Sequence, residues 1–410
     1  MRSWPEVYLP PAPTNIKAPE LKLFDSYKKA LISLDHKIVT SYVCGITPYD
    51  ATHLGHAATY LSFDLIHRYL IARGQELFFA ENITDVDDPL LERAKRDDVD
   101  WQKLATSQIE LFVSDMTALH VIPPRQYLGV IESINAITGY IKDCQNKGLT
   151  YFIDNDLYLD LSSISNFQGS LPVPLEQALT IFKERGGDPE RIGKRHPLDP
   201  MLWRGHREGE PQWDSPAGPG RPGWHIECTA IALNSLPHGE RTSITLQGGG
   251  SDLVFPHHYM TALQAEALTN LEFAAAYVHA GMIGLHGEKM SKSKGNLIFV
   301  SELLAKGVRA SAIRVALMLQ HYQSDRMWNE ELLDTANQII DRLELNLARN
   351  EVAPTHSVIQ NMVEALSENL NTPKVLQLLG EWCTSTEAGE IGGSTGELSR
   401  ALDSYLGIVL

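Results

Sequence analysis

The stretch Lys37–Gly45 (KIVTSYVCG) is β-branched and aromatic and stops on glycine, so it reads as a buried strand. Thr47-Pro48-Tyr49-Asp50 is a turn. Residues 56–73 carry apolar side chains at helical spacing and end before Gly74; Gln75–Thr84 is a second strand-like run. This strand–turn–helix–strand unit is the opening of a parallel α/β sheet, and the rest of the chain has to be arranged around it.

Before it, the first twenty residues are rich in proline and predict an irregular extension. After it, residues 101–150 have a helical pattern. From 150 to about 223 the pattern breaks into short strands (Thr150–Ile153, Leu157–Leu161), a helix near 175–185 and a Gly/Pro-rich segment, as expected of an insertion into the sheet domain. Thr242–Gln247 and Ala275–Gly281 look like returning core strands, and beyond about 300 the pattern is almost wholly helical. A chain of 410 residues has room for two to three domains. No apolar run is long enough to cross a membrane and the N-terminus lacks a signal-peptide core, which predicts a cytoplasmic protein with no membrane partner. Four cysteines in this length make no disulfide framework; they are buried hydrophobes, nucleophiles or metal ligands. The net charge of −16 argues against a nucleic-acid partner, which would be held by Lys and Arg on phosphates.

Three clusters carry chemistry. Thr52-His53-Leu54-Gly55-His56 lies where the first strand gives way to the helix, and a helix N-terminus with free N–H groups suits phosphates. The two histidines can donate to phosphate oxygens as charge builds. Lys289-Met290-Ser291-Lys292-Ser293-Lys294-Gly295 alternates lysine with small residues, a poor core and a good polyphosphate clamp. Cys44, Cys228 and the pair His257-His258 are dispersed; two soft thiolates and an imidazole suit zinc, but their spacing matches no finger or ribbon, and from spacing alone two buried structural cysteines are the default reading.

In this order, the clusters resemble the class I aminoacyl-tRNA synthetases, with His53–His56 and Lys289–Ser293 as the two signature motifs. Tyr42–Gly45, Asn82–Asp88, Gly223–Cys228 and Gly248–His258 resemble the cysteinyl branch. The resemblance covers residues 37 to about 330. It implies an α/β fold: a Rossmann-like class I synthetase catalytic domain with an inserted connective domain and a C-terminal helical domain. The implied divisions are an N-terminal extension (1–36), the first catalytic half (37–120), the insertion (121–222), the second half (223–288), the phosphate-loop region (289–330) and the helical domain (331–410). ATP with Mg²⁺ would lie across the C-terminal edge of the sheet. His53 and His56 would face its phosphates and Lys289 and Lys292 would hold the leaving diphosphate. Cys44, Gly45, Ile46, Thr47, Thr59, Asn82, Ile83, Thr84, Trp224, Gly250, Ser251, Asp252 and Ile283 would line the cysteinyl-adenylate pocket. One Zn²⁺ would sit on Cys44, Cys228 and His257. Zinc would select cysteine by its thiolate, where packing discriminates poorly between cysteine and serine.

Three features depart from the synthetase. Thr261 stands where that pattern has a glutamate four residues after the zinc histidine, which would leave the metal three protein ligands and an open position. Little chain follows residue 330 for an anticodon-reading domain. The acidic balance offers tRNA no general attraction. Cys44–Tyr60 and the run Glu184-Arg185-Gly186-Gly187-Asp188-Pro189 resemble instead the cysteine ligases of mycothiol biosynthesis. That family implies ATP, L-cysteine and glucosaminyl-inositol as substrates, with Glu184–Pro189 marking the acceptor region, and a monomer is expected. Asp252 or a histidine near it would serve as the base of the second step. A shortened synthetase that charges tRNA(Cys) is the alternative.

Overall fold

The computed structural model describes every residue except Arg2, Asp50, Ala51, Ser165, Asn166, His286 and 291–294; of Gln168 and Lys289 it describes the backbone alone. Its centre is a parallel sheet of β1 (Ile38–Val43), β2 (Glu76–Ile83), β3 (Gln126–Gly129), β4 (Thr242–Gly250) and β5 (Glu272–Ala280). Across the sheet the order is β3-β2-β1-β4-β5. The chain runs outward from β1 to β3, then returns to the other side of β1. The loops that leave β1 and β4 therefore diverge, and the crevice between them is where ligands bind in sheets of this kind.

Both faces of the sheet are covered, which is why β1 and β2 read as nearly continuous apolar runs. Val39, Val43 and Phe79 face α1 (Leu54–Ala72) in one core; Tyr42 and Ala80 face the other core, with α2 (Val130–Asn146), α3 (Trp224–Ser235) and α4 (Tyr259–Thr269). The helical reading of 101–150 is corrected here: a helix over Trp101–Ala118 gives way to β3 before α2 begins. β3 pairs with β2 through Ala80–Ile83 as an edge of the sheet, inside the span expected to be an insertion. The described residues among the first twenty form no helix or strand, as their prolines predict, and regular structure begins just after them. A hairpin of Lys22–Asp25 and Ala30–Ser33 lies against β5, where the Ser26 N–H donates to the Tyr277 carbonyl at 2.8 Å.

A four-stranded antiparallel sheet (Thr150–Ile153, Asp156–Leu159, Met201–Gly205, Gly220–Pro222) and the helix Leu175–Glu184 form a second unit between α2 and α3. A small sheet of Ile283–Leu285, Glu288–Lys289 and Arg326–Trp328 leads into the phosphate-loop motif and away from it. The C-terminal helices Glu330–Leu347, Thr355–Ser367, Thr372–Glu387 and Thr395–Leu406 pack together, and the last of them lies along α1. At that seam Asp64 of α1 is fully buried and meets Arg68 at 2.8 Å and Arg314 at 2.5 Å. Arg314 also donates to the Leu119 and Leu406 carbonyls, so one carboxylate and two guanidiniums join three parts of the chain. No helix among the described residues is long and apolar enough to cross a membrane.

Candidate active site and metal centre

The site is built where β1 and β4 end. Beyond Val43 the backbone of Cys44–Thr47 crosses the end of β2: the Gly45 N–H donates to Asn82 Oδ1 at 3.0 Å and the Thr84 N–H to the Ile46 carbonyl at 3.0 Å. Asn82 is the strut of this crossing. Its Oδ1 also accepts from the Tyr42 hydroxyl, and its Nδ2 donates to Thr84 Oγ1. Residue 45 has to be glycine because a Cβ there would lie 1.6 Å from the Asn82 carbonyl oxygen. At the end of β4, Gly248 lets the ring of Phe63 from α1 lie where a side chain would be. Thr59 approaches Gly250 from α1, so Thr59 and Gly250–Asp252 face each other across the crevice.

Cys44, Cys228 and His257 come together from the end of β1, the N-terminal half of α3 and the turn before α4. Their ligand atoms all lie within 4.8 Å of one another, and all three side chains are buried. The two sulfurs are 3.9 Å apart. The Cys44 neighbour and burial push the Cys228 thiol well up, and burial, with His225 alongside, pushes the His257 imidazole well down. Two adjacent thiolates need a cation between them, and a neutral imidazole is the form that binds one, so this donor set fits a divalent metal ion.

A surrounding layer orients the three. His225 Nδ1 meets His257 Nδ1 at 3.0 Å and the Trp224 indole stacks on the His257 ring with centroids 4.2 Å apart. His258 Nε2 lies 3.2 Å from Cys44 Sγ, and its Nδ1 leads on to His279 and Ser26. Gln247 Nε2 donates to the same sulfur. Such outer partners fix the tautomer and aim of metal ligands. The motifs assign a role to Trp224 but none to His225 or Gln247, and His258 enters only as the neighbour of His257 in the pair; adjacency to His257 and Trp224 is the available signal. Thr261 is buried within α4, and its hydroxyl has no hydrogen-bond partner among the described residues.

His53 caps α1, its Nδ1 accepting from the Gly55 N–H at 3.0 Å, and its ring stacks on His56 with centroids 3.9 Å apart. The same turn is pinned to the chain just past the phosphate loop. Leu54 N–H donates to the Ile298 carbonyl at 2.9 Å and Val300 N–H to the Thr52 carbonyl at 3.1 Å. The histidine turn and the exit of the lysine loop are therefore neighbours. Lys292 lies outside the described residues and the Lys289 side chain is not described; the Lys289 backbone pairs with Gly284, beside Ile283.

Glu184–Pro189 closes the helix Leu175–Glu184. Gly186 has φ of +85°, and the Gly187 N–H returns to the Phe182 carbonyl, a glycine helix stop. Arg185 reaches across to Asp252 at 3.3 Å, which ties this motif to the loop after β4.

Residues 30–338 match the family model of the class I tRNA synthetase catalytic domain, cysteine type. Over their full lengths the chain and the L-cysteine:1D-myo-inositol 2-amino-2-deoxy-alpha-D-glucopyranoside ligase of Gordonia bronchialis are 46% identical, and the ligase of that name from Corynebacterium aurimucosum is 48% identical over 100% of both chains. The chain belongs to the cysteine-ligase branch of the class I tRNA synthetase family. Solved class I synthetases share the fold at low identity. The methionyl-tRNA synthetase of Mycobacterium tuberculosis, in complex with methionyl-adenylate, superposes with a TM-score of 0.60 at 15% identity, covering 90% of this chain and 88% of that one. The leucyl enzyme of Agrobacterium radiobacter gives 0.58 at 13%, covering 91% and 84%. In this class I family member the Cys44–Cys228–His257 cluster and the histidine turn lie at the sheet's switch point, the cluster packed in one core of the sheet and α1 in the other.

Proposed function

We propose that the chain joins L-cysteine to the amine of glucosaminyl-inositol, with ATP and Mg²⁺, through cysteinyl-AMP. The reading is carried by full-length likeness to ligases of that name in a chain whose Cys44, Cys228 and His257 converge at the sheet's ligand crevice. In the first step the cysteine carboxylate attacks the α-phosphate of ATP and diphosphate leaves. The protein's part is to position and to neutralise. His53 and His56, at the start of α1, would face the phosphates, with Lys289 and Lys292 on the departing diphosphate. Gly250, Ser251 and Asp252 would take the ribose end, and Cys44–Thr47, Thr59, Asn82–Thr84, Trp224 and Ile283 the rest of the adenylate.

Cys44, Cys228 and His257 would hold zinc, which binds a thiolate strongly and a hydroxyl weakly and so favours cysteine over serine. Trp224 and His225 hold the His257 ring in place for this. In the second step the neutral amine attacks the adenylate carbonyl; the amide C–N bond forms as the bond to AMP breaks, and the amine's proton leaves to a base.

Cysteine-dependent pyrophosphate exchange, followed by mass spectrometry of the product with glucosaminyl-inositol beside a filter assay with tRNA(Cys), tests the whole reading. Amide without charged tRNA is the expected result. Charged tRNA without amide would overturn it.

A further inference from the structure

A cavity of about 840 Å³ opens between the sheet domain and the inserted unit, within the range of small-molecule sites. One wall is the Glu184–Asp188 run; the opposite wall includes Thr47, Asp87, Trp224 and His225. Trp224 and His225 are the residues that touch His257, so this wall backs directly onto the metal ligands. A substrate sulfur held at that cluster is three bonds from its own carbonyl carbon. The activated carbonyl therefore has to face the same end of the cavity.

The cavity's acids are mostly committed. Asp88 is held by Arg204 and Arg221, Asp156 by Arg191 and Arg207, and Asp188 by Lys194 and Tyr158. Asp87 is different. Its Oδ1 accepts the Asp88 N–H at 2.8 Å as the cap of the helix Asp88–Arg96, and no donor among the described residues meets its Oδ2. Arg204 and Arg221 stand close by, but they also share Glu210 and are spent on the Asp88 and Glu210 carboxylates. Asp87 lines the cavity together with Trp224 and His225, and it lies near enough to Glu227 and Cys228 for its charge to act on both. Glu92 and Glu184, the other acids of the lining with no cationic partner among the described residues, are exposed.

We propose that the amine acceptor binds in this cavity and that the Asp87 carboxylate receives its nitrogen, placing it against the activated carbonyl. The proposal rests on the ligase reading above and adds a substrate-contacting residue to it. It gives the cavity a division of labour: polar and charged groups of the inserted unit meet the acceptor's hydroxyls, and one free carboxylate meets its nitrogen. Burial lifts Asp87 to about 6, which leaves it ionised at neutral pH, the form that attracts an ammonium group.

Asparagine caps a helix as well as aspartate does, so Asp87→Asn removes the charge and keeps the cap. With glucosaminyl-inositol as the acceptor, Asp87→Asn should raise the acceptor KM at least tenfold. Ligation should fall at least tenfold more than cysteine-dependent pyrophosphate exchange, at an unchanged melting temperature. Glu92→Gln, on the same helix, should leave the acceptor KM within twofold. An unchanged acceptor KM in Asp87→Asn, or an equal fall in both reactions, would overturn the role of Asp87 while the ligase reading stands. A native chain that exchanges pyrophosphate but forms no amide would overturn both.

Discussion

The sulfurs of Cys44 and Cys228, 184 residues apart in the chain, lie 3.9 Å apart with the His257 imidazole beside them. Each sulfur comes from a different kind of element end: a strand C-terminus and a helix N-terminus. Serine in place of Cys228 would leave a metal ion held by this cluster one soft ligand short. Cys228→Ser should lose bound zinc, measured by emission spectroscopy, and lose cysteine-dependent pyrophosphate exchange by at least a hundredfold. Full zinc content with ordinary exchange would refute the site.

Ile298 and Val300, just past the motif that contains Lys292, are hydrogen-bonded to the turn around His53. A lysine that meets the departing diphosphate stabilises charge that develops only as the bond breaks, so its loss lowers kcat more than it raises KM. Lys292→Ala should reduce kcat for adenylate formation about a hundredfold, with the cysteine KM changed less than threefold. An unchanged kcat in stopped-flow assays removes that role.

Asp115 is buried beneath the histidine turn, and its Oδ2 has no partner among the described residues. Burial lifts its carboxyl to about 7, against a smaller opposing effect of the Thr52 hydroxyl. The folded chain therefore holds this proton more tightly than the unfolded one. Between about pH 4 and pH 7 unfolding releases it, so the group's contribution to stability declines as pH rises through that window. Asp115→Asn removes the ionisable group and nearly keeps the shape. Its melting temperature should exceed that of the native chain at pH 8 by more than at pH 5; equal shifts at both would show that charge is not the cause.

Asp64 sits between Arg68 and Arg314 with no solvent contact. Burial alone would raise its carboxyl, but the two guanidiniums and the Ile122 N–H outweigh it and hold it below the usual carboxylate range. Removing one partner of a buried charge cluster strands the others, a cost of about 3–5 kcal/mol. Asp64→Ala should destabilise the chain by that order in urea titration and loosen the last helix from α1. A loss below about 1 kcal/mol would mean that the carbonyls around the arginines suffice.

The motifs were legible because each is contiguous and sits at an element end, where chemistry constrains several neighbouring residues at once. Thr52–His56 and Gly248–Asp252 could be placed at helix and strand ends from their own neighbours. β3 was not legible: Gln126–Gly129 is a short edge strand between two helices, too brief to show a period of two. Asp87 was also passed over as part of a chemical site. In the sequence it is one of three aspartates within Asp85–Asp88, alike in type, and only the arginine pairings of Asp88 set it apart.

From the sequence alone came the residue types and their local settings: a strand end at Cys44, a helix start at His53, and soft or imidazole ligands with no regular spacing. The tertiary structure decided which of these meet. The spacing of Cys44, Cys228 and His257 carries no signal because their approach depends on the strand order, with β4 returning beside β1 and α3 and α4 packing on one face of the sheet. The same folding set the inserted unit opposite the segments that follow β1 and β2 and left a cavity between them. A parallel sheet joins distant segments through long crossovers, so its functional geometry is a property of the whole sheet and cannot be read from any one stretch of it.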